Sequence, residues 1–304
     1  MRVASLLLAT VLLAACAAPR DPVPDADPAA LAQALARAPV VLLGEVHDNA
    51  AQHALRLQAL ARLLQGGARP VFAFEQFDRE QQAPLDAARA AGGSVAERAG
   101  RMIEAAGGRG WKWDFYRPYV ELALQYDLPV IAANLSRGQA MRVGQEGVAA
   151  VFDEGERRAL RLDAVDPAVL KAQVQEVERG HCGRMPAEAL EPVARAQIAR
   201  DAVLAASIAP YAGRGVVLIT GNGHARRDIG VVRHLAPEIA AHTVTIGLLE
   251  RESAPEESAQ ERAGAFDVAF FTVAQARKDP CAGVGPMKSM APAAAAAAPA
   301  PNSP

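Results

Sequence analysis

The stretch Val40–His53, VVLLGEVHDNAAQH, decides the fold. An apolar run, Val40-Val41-Leu42-Leu43, ends abruptly in Gly44-Glu45-Val46-His47-Asp48. An alanine-rich helical pattern with a second histidine, His53, starts near Asn49. A buried strand that runs into glycine and then presents a carboxylate and an imidazole is how an open α/β sheet builds a site at its strand ends.

Moving outward, the helical pattern continues to about Leu64 and stops at Gly66-Gly67. A second apolar run, Pro70–Phe74, ends in Glu75-Gln76. Strand, helix, strand at this spacing is a βαβ unit, which predicts a parallel sheet. Four more strands are predicted over Leu128–Ala132, Gly215–Thr220, His242–Leu249 and Asp267–Thr272. The segments at about 79–126 and 137–212 are long and helical, so they predict a helical cap subdomain over the strand ends. The fold class expected is therefore α/β, a mainly parallel sheet flanked by helices, spanning residues 29–275. Ala29–Ala38 adds a short leading helix, and the tail 276–304 decays to alanine and proline.

The bulk numbers agree. A chain of 304 residues with 51% hydrophobic content can bury a sizeable core. Its net charge is −2, from 32 basic and 34 acidic residues spread throughout, so a nucleic-acid partner is not expected.

The N-terminus reads as an export signal. Met1-Arg2 is followed by the apolar run Val3–Ala15, too short to span a bilayer and the right size for a signal-peptide core. Leu13-Ala14-Ala15-Cys16 looks like a lipobox, which predicts removal of residues 1–15 and lipid (palmitate included) on Cys16. Residues 16–28, with four prolines, would form the tether, and Ala17 resembles the pattern sorted to the outer membrane. In an oxidising compartment the remaining pair, Cys182 and Cys281, is expected to form a disulfide. A metal or haem thiolate is the alternative.

Four apolar runs end in groups suited to chemistry: Glu45 with His47, Glu75, Asn134, and Asn222 with His224. In a parallel sheet these ends lie along one edge, so they can meet. His47, His224 and Glu75 offer the two imidazoles and one carboxylate of a hydrolytic divalent centre (Mn, Zn or Co), with Glu45 as general base on the bound water. Asn134 and Asn222 would join the catalytic set of such a hydrolase, or Asn134 would simply cap the next helix. His53 reads as a supporting residue. Gln197 and Asp201 share a helix face and could point into the cleft.

LLGEVHDNAAQH, FAFEQFDREQQAPLD, WDFYRPYVELALQYDLPVIAANLSR, HCGRMP with ARAQIARDAVLA, and GNGHARRDIGVVRHL together resemble the ChaN family of haem-binding lipoproteins. That family lies within the haem-uptake/Tiki/TraB-like superfamily, with erythromycin esterases as distant relatives. The resemblance covers about residues 37–282. It implies haem bound through tyrosine, a haem-enclosing homodimer and a role in iron acquisition. Tiki-type relatives imply instead a metal-dependent protease with paired G-x-x-H motifs, which this chain has at Gly44–His47 and Gly221–His224. For haem, an axial ligand and a flat apolar pocket are needed. Tyr116 and Tyr119 are the candidate ligands, with His181 behind them and Arg117 or Arg137 for a propionate. The alternative is that Trp111–Tyr119 is only the aromatic core of the cap.

Overall fold

A computed structural model describes residues 25–251, 261–278 and 281–282. The predicted signal peptide, Cys16, residues 17–24 and most of the alanine-proline tail lie outside these described residues.

Six strands are described: β1 (Val40–Leu43), β2 (Val71–Asp78), β3 (Val130–Asn134), β4 (Val216–Ile219), β5 (Thr243–Arg251) and β6 (Val268–Val273). Around them, in chain order, run α1 (Pro28–Leu35), α2 (Ala50–Gln65), α3 (Gln82–Ala90), α4 (Val95–Ala106) and α5 (Trp113–Gln125). They are followed by α6 (Arg137–Glu146), α7 (Glu154–Ala159), α8 (Pro167–Gly180), α9 (Ala187–Ile208), α10 (Asn222–Ala225) and α11 (Pro237–Ala240). Among the described residues, no helix is long and apolar enough to cross a membrane.

The strands form one sheet in the order β3-β2-β4-β1-β5-β6, and every pairing is parallel. The four runs that end in polar groups are therefore the four consecutive strands β3, β2, β4 and β1. Crossover helices cover both faces, so the strands are buried on both sides and read as unbroken apolar runs rather than alternating ones. Val41, Leu43, Phe72, Phe74, Val217 and Ile219 face a core shared with α1, α2, α4 and α5. Val40, Leu42, Val71, Ala73, Val216 and Leu218 face α9 and the segment after α10. The two long insertions thus contribute helices to opposite faces: α5 of the first packs with α2, and α9 of the second packs under β2 and β3.

Two boundaries differ from the sequence expectation in ways that matter to the site. β2 runs on through Glu75 and Gln76 to Asp78, with an irregular register against β3 between Phe74 and Asp78. Glu75 is consequently inside a strand and fully walled, not beyond its end. β3 starts two residues later than expected and closes on Asn134 itself. Cys182 and Cys281 are joined, linking the α8–α9 turn to the segment after β6 across 99 residues of sequence.

Candidate functional site

The site lies where β1, β2 and β4 end side by side. On the β1 side, Glu45 is buried and forms an ion pair with Arg56 of α2. A second Arg56 nitrogen donates to the Leu43 carbonyl at 3.1 Å, and the guanidinium lies over the Tyr119 ring. Glu45 Oε1 accepts from the Tyr116 hydroxyl at 2.6 Å and sits 3.0 Å from His47 Nδ1. With the carboxylate at Nδ1, that nitrogen donates to Glu45.

His53, one turn into α2, holds this loop from below. Its Nε2 donates to the His47 carbonyl at 3.0 Å, and the Tyr119 hydroxyl donates to the His53 carbonyl at 2.9 Å. Phe115 stacks on the His53 ring at 4.5 Å, and Trp111 meets His47 edge-on at 5.0 Å. Burial pushes the His53 pKa down to about 4, so it is neutral at physiological pH.

On the β2–β4 side, Glu75 Oε2 accepts from the Thr220 hydroxyl at 2.7 Å and the Gly221 amide at 2.8 Å. Its other oxygen lies 3.5 Å from His224 Nε2 and 4.0 Å from His47 Nε2. His224 Nδ1 bonds Asp201 of α9 at 2.7 Å. Burial alone would lower the His224 pKa, but the carboxylates of Asp201 and Glu75 on either side raise it to about 10. Burial likewise opposes the Glu75 charge, yet His224 and the Gly221 amide hold this carboxyl well below the usual range. Glu75 and His224 therefore form a fixed ion pair, with Asp201 behind.

The two G-x-x-H motifs make room for each other. A Cβ on Gly44 would lie 2.4 Å from Asn222 Oδ1, and one on Gly221 would lie 2.7 Å from His47 Cε1. Each glycine admits a side chain from the opposite motif, which is why the motifs occur as a pair.

Both asparagines are committed to neighbouring protein groups. Asn134 Nδ2 donates to the Glu75 carbonyl at 2.8 Å and its Oδ1 accepts from Arg200 at 3.2 Å. Asn222 Nδ2 donates to the Leu248 carbonyl at 2.6 Å, and its Oδ1 accepts from the Leu248 amide at 3.2 Å. These side chains fix the walls of the cleft rather than reach into it.

A profile described as haem-binding uptake, Tiki superfamily, ChaN matches residues 31–235. The chain belongs to this family. Among solved structures, the cofacial haem complex of ChaN from Campylobacter jejuni is 19% identical and covers 75% of this chain and 88% of its own, with a TM-score of 0.59; the fold is shared. A succinoglycan biosynthesis protein (15% identical, 76% of this chain and 72% of that one, TM-score 0.40) and a mutant erythromycin esterase, EreC, in its open conformation (12%, 73% and 72%, TM-score 0.41) also match. No functionally curated protein matches the sequence.

Within this ChaN-family chain, three expectations change. A divalent centre of His47, Glu75 and His224 is not supported: among the described residues no three His, Cys, Asp or Glu side chains are grouped to hold a metal ion. Glu75 and His224 instead use their polar atoms on each other and on Asp201, Thr220 and Gly221. Glu45, the expected base on a metal-bound water, is neutralised by Arg56 and faces His47.

The tyrosines offered for haem are core residues. Tyr116 and Tyr119 are buried, their hydroxyls are donated to Glu45 and to the His53 carbonyl, and burial pushes both phenols up, against the phenolate an iron ligand needs. Arg117 turns toward Glu121 and the Ala96 carbonyl of α4. His181 stands at the end of α8 with Nδ1 on the Val177 carbonyl at 2.7 Å. Sequence reasoning missed Arg56 and Thr220. The signal for Arg56 was a polar trio, Gln52, His53 and Arg56, at i, i+1 and i+4 on one face of α2.

Proposed function

We propose that the protein binds haem as a lipid-anchored envelope protein, held to the outer membrane through Cys16 and serving haem or iron acquisition. The observation that carries the haem reading is the family match over residues 31–235; the anchor rests on the Leu13–Cys16 lipobox pattern. The Campylobacter relative, described as binding haem cofacially, supports haem as the ligand; on this proposal two copies of the chain enclose it.

The residues present fit haem at one place better than at the buried tyrosines. The half-exposed His47 ring with half-buried Trp111 edge-on to it, and Phe115 stacked on the neighbouring His53, make an aromatic rim next to the cleft. Lys112 is exposed on the same turn and supplies a cation for a propionate. Bound haem would supply an iron centre and a broad flat apolar surface.

Haemin titration of the purified protein tests this reading. A saturable Soret band at a fixed stoichiometry is expected, together with a shift toward dimer on size exclusion. The paired Trp111→Ala/Phe115→Ala substitution is expected to weaken binding, whereas Tyr119→Phe leaves it unchanged. An unsaturable spectrum identical to haemin with an unrelated protein would refute the proposal. Palmitate labelling lost in Cys16→Ser checks the anchor.

A further inference from the structure

We propose that the Cys182–Cys281 bridge is a site of thiol–disulfide exchange with a dithiol reductant, and that its redox state latches or frees residues 274–282 as a strap between the two walls of the cleft. The strap leaves the end of β6 and is pinned before it reaches the bridge. The Gln275 amide donates to Glu250 Oε1 at 2.9 Å, and Arg277 then spans two carboxylates. Its Nε and Nη2 donate to Asp48 at 3.0 and 2.7 Å, and its Nη1 and Nη2 to Glu250 at 2.6 and 2.8 Å. Asn49 completes the knot, donating to Glu250 at 2.6 Å and to the Val273 carbonyl at 2.9 Å. Asp48 follows His47 directly, so the knot holds the first G-x-x-H loop.

Four residues beyond Arg277, Cys281 joins Cys182, with Cα atoms 5.7 Å apart. Four residues of extended chain span at most about 14 Å, so the α8–α9 turn is kept close to the first loop. On one side of that turn, Glu176 of α8 bonds Arg226 at 2.5 Å; on the other, Asp201 of α9 bonds His224 at 2.7 Å. Both contacts hold the second G-x-x-H loop and the residues after it. The bridge therefore closes a circuit from first loop to strap, to helical hairpin, to second loop. The remaining side-chain links in that circuit are hydrogen bonds and ion pairs, so the circuit opens where its covalent cross-link opens.

Two features suit the bridge to exchange. Both cysteines are half-buried, with exposed Gly183 and Ala282 beside them, which gives an attacking thiolate a route to sulfur. Cys182 and Gly183 also hold left-handed backbone, φ 61° and 62°, which is unfavourable for a residue with a Cβ, so the turn gains freedom when released. In the exchange, a thiolate of the dithiol bonds to one cysteine sulfur and displaces the other as a thiolate, which takes a proton. The reagent's second thiol then displaces the remaining cysteine. The protein gains two electrons and two protons, and the dithiol leaves as its own disulfide.

The test uses the purified protein with dithiothreitol and no denaturant. Mass mapping after alkylation is expected to find Cys182 and Cys281 as free thiols, with circular dichroism unchanged. Trypsin cleavage after Arg277 and Lys278 should then speed up by about 10-fold or more, because cleavage follows the population of the open strap. The His47 ring resonances should shift, while those of exposed His242, at the opposite ends of the strands, stay in place. Cys281→Ser should reproduce both changes without reagent, and Arg277→Gln should speed the cut after Lys278 with the bridge intact. A bridge that opens only in denaturant, cleavage and His47 resonances unmoved by its opening, or loss of the whole fold on opening would each overturn the proposal. Haemin binding is scored separately by its Soret band, so failure here leaves the haem reading standing.

Discussion

The same four-residue motif produces opposite results on the two sides of the cleft. Gly44–His47 ends in a ring that is 45% exposed, whereas the ring ending Gly221–His224 is 14% exposed and clamped between two carboxylates. The difference lies in what each fold neighbour contributes. Behind β1, α2 supplies Arg56, which satisfies Glu45 and leaves His47 half in solvent. Behind β4, α9 supplies Asp201, an anion, which with Glu75 fixes a positive charge on His224. One motif therefore delivers a half-exposed ring, and the other a buried ring whose charge two carboxylates hold well past neutral pH. Motif identity does not set the role; the helix packed beneath it does.

The largest effect is expected where the β1 side depends on Arg56. Arg56→Leu leaves Glu45 buried and unpaired, and should cost about 3–5 kcal/mol in urea denaturation. A loss below about 1 kcal/mol would mean the pair behaves like a surface one.

Next come the two glycines. Gly44→Ala drives a methyl group against Asn222 and the Ile246 carbonyl, which cannot move, and should cost about 1–3 kcal/mol. Gly221→Ala meets first the His47 ring, a half-exposed side chain rather than backbone. It should cost less and appear instead as a changed His47 environment by NMR. Equal destabilisation would erase the asymmetry between the two loops.

The pH dependence separates the two sides again. His224 has a folded pKa raised from 6.5 to about 10, so its contribution is complete below pH 6.5 and is lost as pH rises toward 10. His53 has a folded pKa lowered from 6.5 to about 4, so stability falls as pH drops through that window. His224→Gln should flatten the alkaline limb of a Tm-against-pH curve and keep the acid limb. An alkaline limb unchanged by the substitution would contradict the assignment.

How much of this was legible from the sequence follows from the range of each interaction. The parallel sheet and the meeting of Glu45, Glu75, Asn134 and His224 could be read because buried strands show as apolar runs and strand ends share an edge. The extension of β2 through Glu75 could not, since a strand that buries a carboxylate reads as a strand that has ended. Nor could the burial of Tyr116 and Tyr119: aromatic residues on an amphipathic helix look alike whether they line a pocket or pack on α2. Arg56 was hidden for a similar reason, because a helical arginine normally faces solvent. Asp201 was visible as a face-sharing partner of Gln197, but not as the anion under His224.

The contrast between the two loops is tested most directly by following the histidine ring resonances by NMR across pH, with His47→Gln, His53→Gln and His224→Gln for assignment. His224 is expected to remain an imidazolium with both nitrogens protonated up to pH 9, while His53 stays neutral above pH 5. A His224 ring that loses its proton near pH 6.5 would contradict the fixed charge on which the account of the cleft rests.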